Sequence, residues 1–239
     1  MTDGAAASLW ARPEPGTRQS RFSRSQIAAA AVAIADADGF EAVSMRRIAA
    51  ALGAGTMSLY RYVATKAELL ALIDDALLAE TLVPGELPAD WRAAIAGVAR
   101  QTRQAYLSHP WAVQALQGKA AAPAGPAGLR HAEQSLAALS GAPLSTRAKL
   151  DLLAIVADYV SGHLLHAADA ARRLSDAETA EAAAAHNYVA ARLASGDFPH
   201  LAAVAAGEAA GDSADKRFEL GLQLLINGVA ELVQPAHDD

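Results

Sequence analysis

Between residues 44 and 66 the chain gathers side chains suited to holding a nucleic acid: Ser44, Arg46, Thr56, Met57, Ser58, Tyr60, Tyr62 and Lys66. An arginine offers two parallel N–H donors that match O6 and N7 of guanine in the major groove. Hydroxyls, phenols and a lysine suit phosphate oxygens, contacts that set register without reading sequence. Ser44 falls at a helix start, where free backbone N–H groups favour a phosphate. Each assignment has a plainer alternative. A tyrosine in a small helical domain often fills the core, and Arg47 and Arg61 could be solvated charges. Covalent chemistry finds no support. There is no glycine-rich phosphate loop, no nucleophile elbow and no cysteine, and the acidic residues are scattered over solvated helix faces.

The elements that must position these groups can be read from caps and stripes. Ser44 is placed to cap a short helix through Leu52, and Gly53 stands where that helix has to stop, because glycine enters the left-handed conformation without a Cβ clash. The next helix, about Thr56 to Tyr62, is held by Leu59 and Val63, four apart on one face. Two short helices joined by a glycine turn make a helix-turn-helix, whose second member lies in the major groove. Upstream, Ser23 and Gln26 have capping-box spacing for a helix from about Arg24 to Asp38, with Ile27, Ala30, Ala31 and Ile34 as its buried stripe. Gly39 ends it, and Phe40 and Val43 are expected beneath the following helix. Thr65 and Glu68 repeat the capping-box spacing ahead of a helix to about Leu82, with Leu69, Leu72, Ile73 and Ala76 on one face.

Taken together, residues Ser23 to Leu78 resemble the N-terminal domain of the TetR family of bacterial transcriptional regulators. The resemblance rests on Ile27, Ala31, Gly39, Ser44, Met45, Ile48, Ala49, Leu52, Gly53, Leu59, Tyr60, Tyr62, Val63, Lys66 and Leu69-Leu70. Its most specific part is Leu-Tyr-x-Tyr-Val-x-x-Lys following Leu-Gly. It implies that Thr56 and Met57 open the recognition helix, that Arg46 reaches a base from the helix before it, and that Tyr60, Tyr62 and Lys66 grip phosphates. It also implies that the helix after Thr65 carries the effector signal to the reader.

The distribution of charge agrees with a DNA reader at one end. Overall the chain is acidic, −6, but residues 1 to 70 hold eight Lys/Arg and six Asp/Glu for a net +2, and the remainder nets −8. From Arg18 to Lys66 the balance is +4, and phosphate neutralisation depends on local charge. Residues 1–22, rich in Ala, Pro, Gly, Ser and Arg, read as a disordered basic arm, either a solvated tail or, through Arg12, Arg18 and Arg21, a minor-groove contact. The absence of cysteine excludes disulfides and thiolate metal sites. No apolar run reaches the ~18 residues of a membrane span, so the expectation is a soluble, cytoplasmic protein without a membrane partner.

At 239 residues the chain has room for two domains, and past Pro84-Gly85 every segment reads as helix. The expected helices are 88–108, 110–117, 127–140, 145–171, 176–195 and 214–234, separated by Pro and Gly signals. The fold class is therefore all-α. Residues 23–66 form the helix-turn-helix domain, and residues 67–239 the ligand-binding and dimerisation domain.

In the last helix Phe218, Leu222, Leu225, Val229 and Leu232 form a heptad-like seam, with Gly221 and Gly228 able to admit a close helix. Packing within the subunit is the plainer reading. The family resemblance implies that this helix and the 145–171 helix pair with their copies in a homodimer, which in turn demands a palindromic duplex DNA operator.

Trp91, Leu107-Ser108-His109, Gly118 and the run from Phe218 to Gly228 resemble the branch of the tetracycline repressor. That protein chelates its drug through magnesium with a helix-borne His and polar anchors. The matching positions here are Leu116, Val98 and Thr102, so the metal ligand is missing and no cofactor is expected. Val98, Thr102, Trp111, Leu116 and Tyr159, with His131, Gln134 and His163 for hydrogen bonds, would line a pocket for a mostly apolar organic effector. His163 and His166 could share a helix face as metal ligands, but further ligands are not evident. An all-helical small-molecule-binding or adaptor dimer without DNA-binding function is the alternative to a regulator.

Overall fold

The structure, a computed structural model, describes residues 9–15, 22–116, 125–176, 180–206 and 213–232. Its helices are α1 Arg24–Asp38, α2 Met45–Ala51, α3 Thr56–Leu59, α4 Lys66–Glu80, α5 Trp91–Ser108, α6 Pro110–Leu116, α7 Pro126–Ala138, α8 Thr146–Asp176, α9 Ala180–Ala194, α10 Pro199–Ala206 and α11 Ala214–Leu232. A 3-10 turn spans Phe40–Ala42. Among the described residues there is no strand. Gly118, Arg18 and Arg21 lie outside them.

Local chemistry sets the first helices. The Ser23 capping box closes in both directions: the Gln26 N–H donates to Ser23 Oγ at 3.2 Å, and the Ser23 N–H donates to Gln26 Oε1 at 2.8 Å. The Arg47 N–H donates to Ser44 Oγ at 3.3 Å to start α2, and Gly53 at φ +60° turns the chain toward α3. Ile27, Ile48, Leu59, Val63 and Ile73 are fully buried, forming the core of the reader where α1 lies against α4. α3 is shorter than expected. It ends at Leu59, whose carbonyl accepts from both the Tyr62 and Val63 N–H groups, so the recognition helix is a single turn followed by a tight bend.

Residues 9–15 are placed, which corrects the reading of 1–22 as a disordered arm. Residues 9–11 make a helical turn, and Leu9 is fully buried in the reader core. Arg12 pairs with Glu68 at 2.7 Å, and the Arg24 guanidinium donates to the Arg12 carbonyl at 3.1 Å. The second capping box is altered by the same contact. Thr65 Oγ1 accepts from the Glu68 N–H at 3.1 Å as expected, but the Glu68 carboxylate turns to the Ala64 N–H and to Arg12. A carboxylate buried to 2% exposure needs such a counter-charge, and Arg12 supplies it.

A second core joins α5, α8 and α11 through Trp91, Ile95, Val98, Leu152, Val156, Val160, Phe218, Leu222 and Ile226. α7 lies against α4 and α5. In α11 the buried stripe is Phe218, Leu222, Ile226 and Ala230, at steps of four, so the expected dimer seam is in part the subunit's own core. The apolar residues that α11 turns outward are Leu220 and Leu224, 57% and 64% exposed. On α8 the outward pair is Leu150 and Ile155. Gly221 does not await a neighbouring molecule: a Cβ there would collide with the Tyr159 ring and hydroxyl of the same subunit, whereas Gly228 faces open space.

Candidate nucleic-acid interface and its link to the effector domain

Leu59 and Val63 anchor the short recognition turn from inside, and this drives its neighbours outward. Ser44, Arg46, Met57, Ser58, Tyr60, Arg61 and Lys66 are exposed, Met57 to 79%, and Thr56 is half-buried. A methionine so exposed at the start of a recognition helix is free to meet a groove. Ser44, Tyr60, Thr65 and Lys66 rim one cavity of about 260 Å³ floored by Val43, Met45, Leu69, Leu70 and Ile73, so Ser44, Tyr60 and Lys66, three of the residues assigned to phosphate contact, are neighbours in space. Arg46, Arg61 and Lys66 make no ion pair among the described residues, while Arg47 is paired with Asp38. Tyr62 departs from expectation. It is 5% exposed with its ring centroid 5.2 Å from that of Phe22, which makes it a core residue.

α4 joins this surface to the rest of the molecule through polar contacts that pattern reading missed. Asp75 Oδ1 accepts from the N–H groups of Ala127 at 2.8 Å and Gly128 at 3.0 Å, so a carboxylate on α4 caps α7, whose own N-cap Gly125 has no side chain to do so. Gly125 has no room for a Cβ, since Asp75 and the Trp10 ring occupy that space. Just past α4, the Thr81 hydroxyl donates to the Leu78 carbonyl at 2.8 Å and lies 2.7 Å from His131 Nδ1. Burial pushes the His131 pKa down, and with the Thr81 proton committed to Leu78, His131 is the neutral tautomer whose Nδ1–H donates to Thr81. The Gln134 amide bonds both ways to the Val83 backbone, each at 2.9 Å. At the same end of α4, His109 contacts Asp36 and Glu80, and the Trp111 Nε1–H donates to Asp36 at 2.7 Å while its ring stacks on Phe40.

Among the described residues, those assigned to an effector pocket fall into separate groups. Trp111 and Leu116, on α6, pack toward the reader core, and His131 and Gln134 hold the segment after α4. Val98 is buried in the effector core, and the Thr102 hydroxyl donates to the Val98 carbonyl at 2.9 Å. The Tyr159 hydroxyl donates to the Phe218 carbonyl at 2.9 Å, its ring stacked on Phe218. His163 lies 5.0 Å from the Phe218 ring; its Nε2 is buried without a hydrogen-bond partner among the described residues. Burial and then the Arg103 charge push its pKa down, so this imidazole is held neutral. Among the described residues no three His, Asp or Glu side chains come together as a metal site, and no helix is long and apolar enough to cross a membrane.

Comparison with known proteins follows the same division of the chain. Residues 27–73 match the family described as bacterial regulatory proteins, tetR family, and residues 83–233 match the tetracyclin repressor-like C-terminal domain. The HTH-type transcriptional repressor DrrR1 of Streptomyces coeruleorubidus is 37% identical over 232 residues, covering 93% of this chain and 82% of that protein. An HTH-type transcriptional regulator of Saccharopolyspora erythraea is 34% identical, covering 96% of this chain and 94% of its own. The crystal structure of Streptomyces coelicolor ActR in complex with actinorhodin superposes with a TM-score of 0.73 at 28% identity, over 91% of this chain and all of that one. ActR is also known in complex with (S)-DNPA, where the TM-score is 0.69. With an exposed helix-turn-helix reader, an all-helical second domain wired to it through α4, and both family domains matched in order, the chain belongs to the TetR family of DNA-binding transcriptional regulators.

Proposed function

We propose that this regulator is a repressor that binds a palindromic duplex as a homodimer and leaves it when a small organic molecule enters the C-terminal domain. The observation that carries the reading is the exposed set Arg46, Met57, Ser58, Tyr60 and Lys66 on a reader fastened to the second domain by α4. In this reading Arg46, Thr56, Met57 and Ser58 meet bases, and Ser44, Tyr60 and Lys66 meet phosphates. Tyr62 serves by packing the turn that presents them. The outward leucines of α11 and the outward Leu150 and Ile155 of α8 support a four-helix contact between two copies, which sets the two reading heads for half-sites about one turn apart. The complexes of ActR with actinorhodin and (S)-DNPA support an organic effector. In the tetracycline-repressor comparison Leu116 stands in the place of the metal-binding His, so release proceeds without magnesium.

Selection of duplexes from a random pool by the wild-type protein tests the reading. An enriched palindrome is expected; none would refute it. Release of that duplex by a cognate compound, with and without a chelator, tests the rest. An effector acts only through its different affinities for the two states, so the duplex must weaken effector binding by the same factor. Equal affinity for free and DNA-bound protein would remove the switch, and a requirement for magnesium would overturn the assignment of Leu116.

A further inference from the structure

His109 closes α5 at the corner with α6, and its imidazole lies where that corner meets α1 and the end of α4. Nδ1 is 2.7 Å from Asp36 Oδ1 on α1, and Nε2 is 3.0 Å from Glu80 Oε2 on α4. Ionised carboxylates accept and do not donate, so both ring nitrogens at such distances carry hydrogens, and the geometry is that of an imidazolium. A neutral ring can satisfy only one of the two. The two sides are not equally secured. Asp36 also accepts from the Trp111 indole, which stacks on Phe40 at 5.6 Å between centroids, while the Glu80 carboxylate has no other partner among the described residues.

We propose that His109 is a positioning residue for the operator-releasing movement: as a cation it pins the end of α4 to the α5–α6 corner, and on losing its proton it lets go of Glu80 while Trp111 keeps the corner on α1. This rests on the reading of α4 as the element that carries the effector signal. The His109 side chain is 9% exposed. The charged groups acting on it are Asp36 from α1 and Glu80 from α4; from α6 the Trp111 indole lies 6.2 Å away between centroids, its plane at 66° to the imidazole. Burial pulls the His109 pKa down, but the hydrogen bonds to Asp36 and Glu80 and their charges outweigh it, so the pKa is raised above the ordinary histidine value. The contact is therefore fully present below about pH 6.5 and is lost as the pH climbs through the raised value. An effector that shifts the α5–α6 corner has to work against this pin, and mild alkalinity works with it.

The chain has no cysteine, which makes the test direct. Cysteines at exposed Ala50 on α2 and exposed Glu133 on α7 take a dye pair, and the labelled protein is mixed with excess unlabelled wild type so that no dimer carries two labelled copies. Energy transfer is read from about pH 5.5 to about pH 9 without DNA or effector, a range in which a histidine changes charge. The expected wild-type result is one narrow distribution at low pH that broadens or shifts as pH rises. His109→Gln should show the high-pH distribution throughout. His109→Arg, permanently charged and with several donors, should keep the low-pH one throughout, which separates the charge from mere bulk. Circular dichroism at each pH checks that the variants are folded. A wild-type distribution indifferent to pH, or one that His109→Gln leaves unchanged, overturns the proposal. Since no DNA enters the measurement, failure of the operator reading and failure of the pin are separate results.

Discussion

Replacing Leu224 by Arg should dissociate the proposed dimer while leaving the subunit folded. Leu224 is 64% exposed in the isolated chain, so its side chain contributes little to its own subunit. Full burial of a leucine is worth about 1.5–3 kcal/mol, so covering the exposed part against a second copy contributes about 1–2 kcal/mol, and two-fold symmetry counts it twice. Losing about 2–4 kcal/mol weakens the dimer about thirty- to a thousandfold before the penalty for burying an unpaired guanidinium is added. Sedimentation equilibrium across a dilution series reads the constant, and far-UV circular dichroism reports the helices. Leu222→Ala is the contrasting variant. Leu222 is fully buried within the subunit, so that change should lower thermal stability by about 2–5 kcal/mol through the cavity it leaves. A Leu224→Arg protein that dimerises as tightly as wild type would refute the argument and place the interface elsewhere.

Arg46→Ala should relax preference at one base pair per half-site by about 1–3 kcal/mol, measured by repeating the duplex selection. Lys66→Ala should instead weaken all duplexes alike and reduce the salt slope of binding by about 1. Arg12→Ala should destabilise the protein by about 1–3 kcal/mol because the buried Glu68 carboxylate loses its ion pair with Arg12. Glu68→Gln should be milder than Arg12→Ala, since a neutral amide can still accept from the Ala64 N–H; chemical denaturation compares the two, and the reverse order would discredit the pairing. Gly221→Ala should destabilise by about 1–3 kcal/mol by overpacking against Tyr159, and the effect should shrink in a Tyr159→Ala background.

Local signals were the ones legible in the sequence. Ser23, Ser44 and Thr65 cap the helices they were expected to cap, and Gly53 turns where a glycine was needed, because caps and left-handed turns are decided by neighbours a few residues away. What sequence spacing could not convey was which of two faces a helix buries. In α11 the runs Phe218-Leu222-Leu225 and Phe218-Leu222-Ile226 are both apolar, and only the position of α5 and α8 selects the second for the subunit core. Tyr62 was misassigned for a related reason: Phe22, forty residues earlier in the chain, supplies the surface it packs on. Asp36, Asp75 and Glu80 carry no pattern at all. Their partners, His109 and the N–H groups of α7, are distant in the chain, so a carboxylate that caps another helix looks like one that faces water.

Three of the four carboxylates of α4 also say how that helix is allowed to move. Glu68 is held by Arg12, Asp75 by the start of α7 and Glu80 by His109. At about 100° per residue, the first two project in nearly the same direction and the third about 120° around the axis. A rod gripped from two sides cannot roll without tearing at least one grip, though it can still tilt about the end that is held most firmly. With buried Glu68, beside the reader itself, taken as that pivot, the far end at Glu80 would have the longest throw. In the proposed switch, a small displacement where α4 meets the effector domain would be delivered to the DNA surface as a change of inclination. Two such rods, one in each copy, would open or close the span between the reading heads as a pair of calipers does.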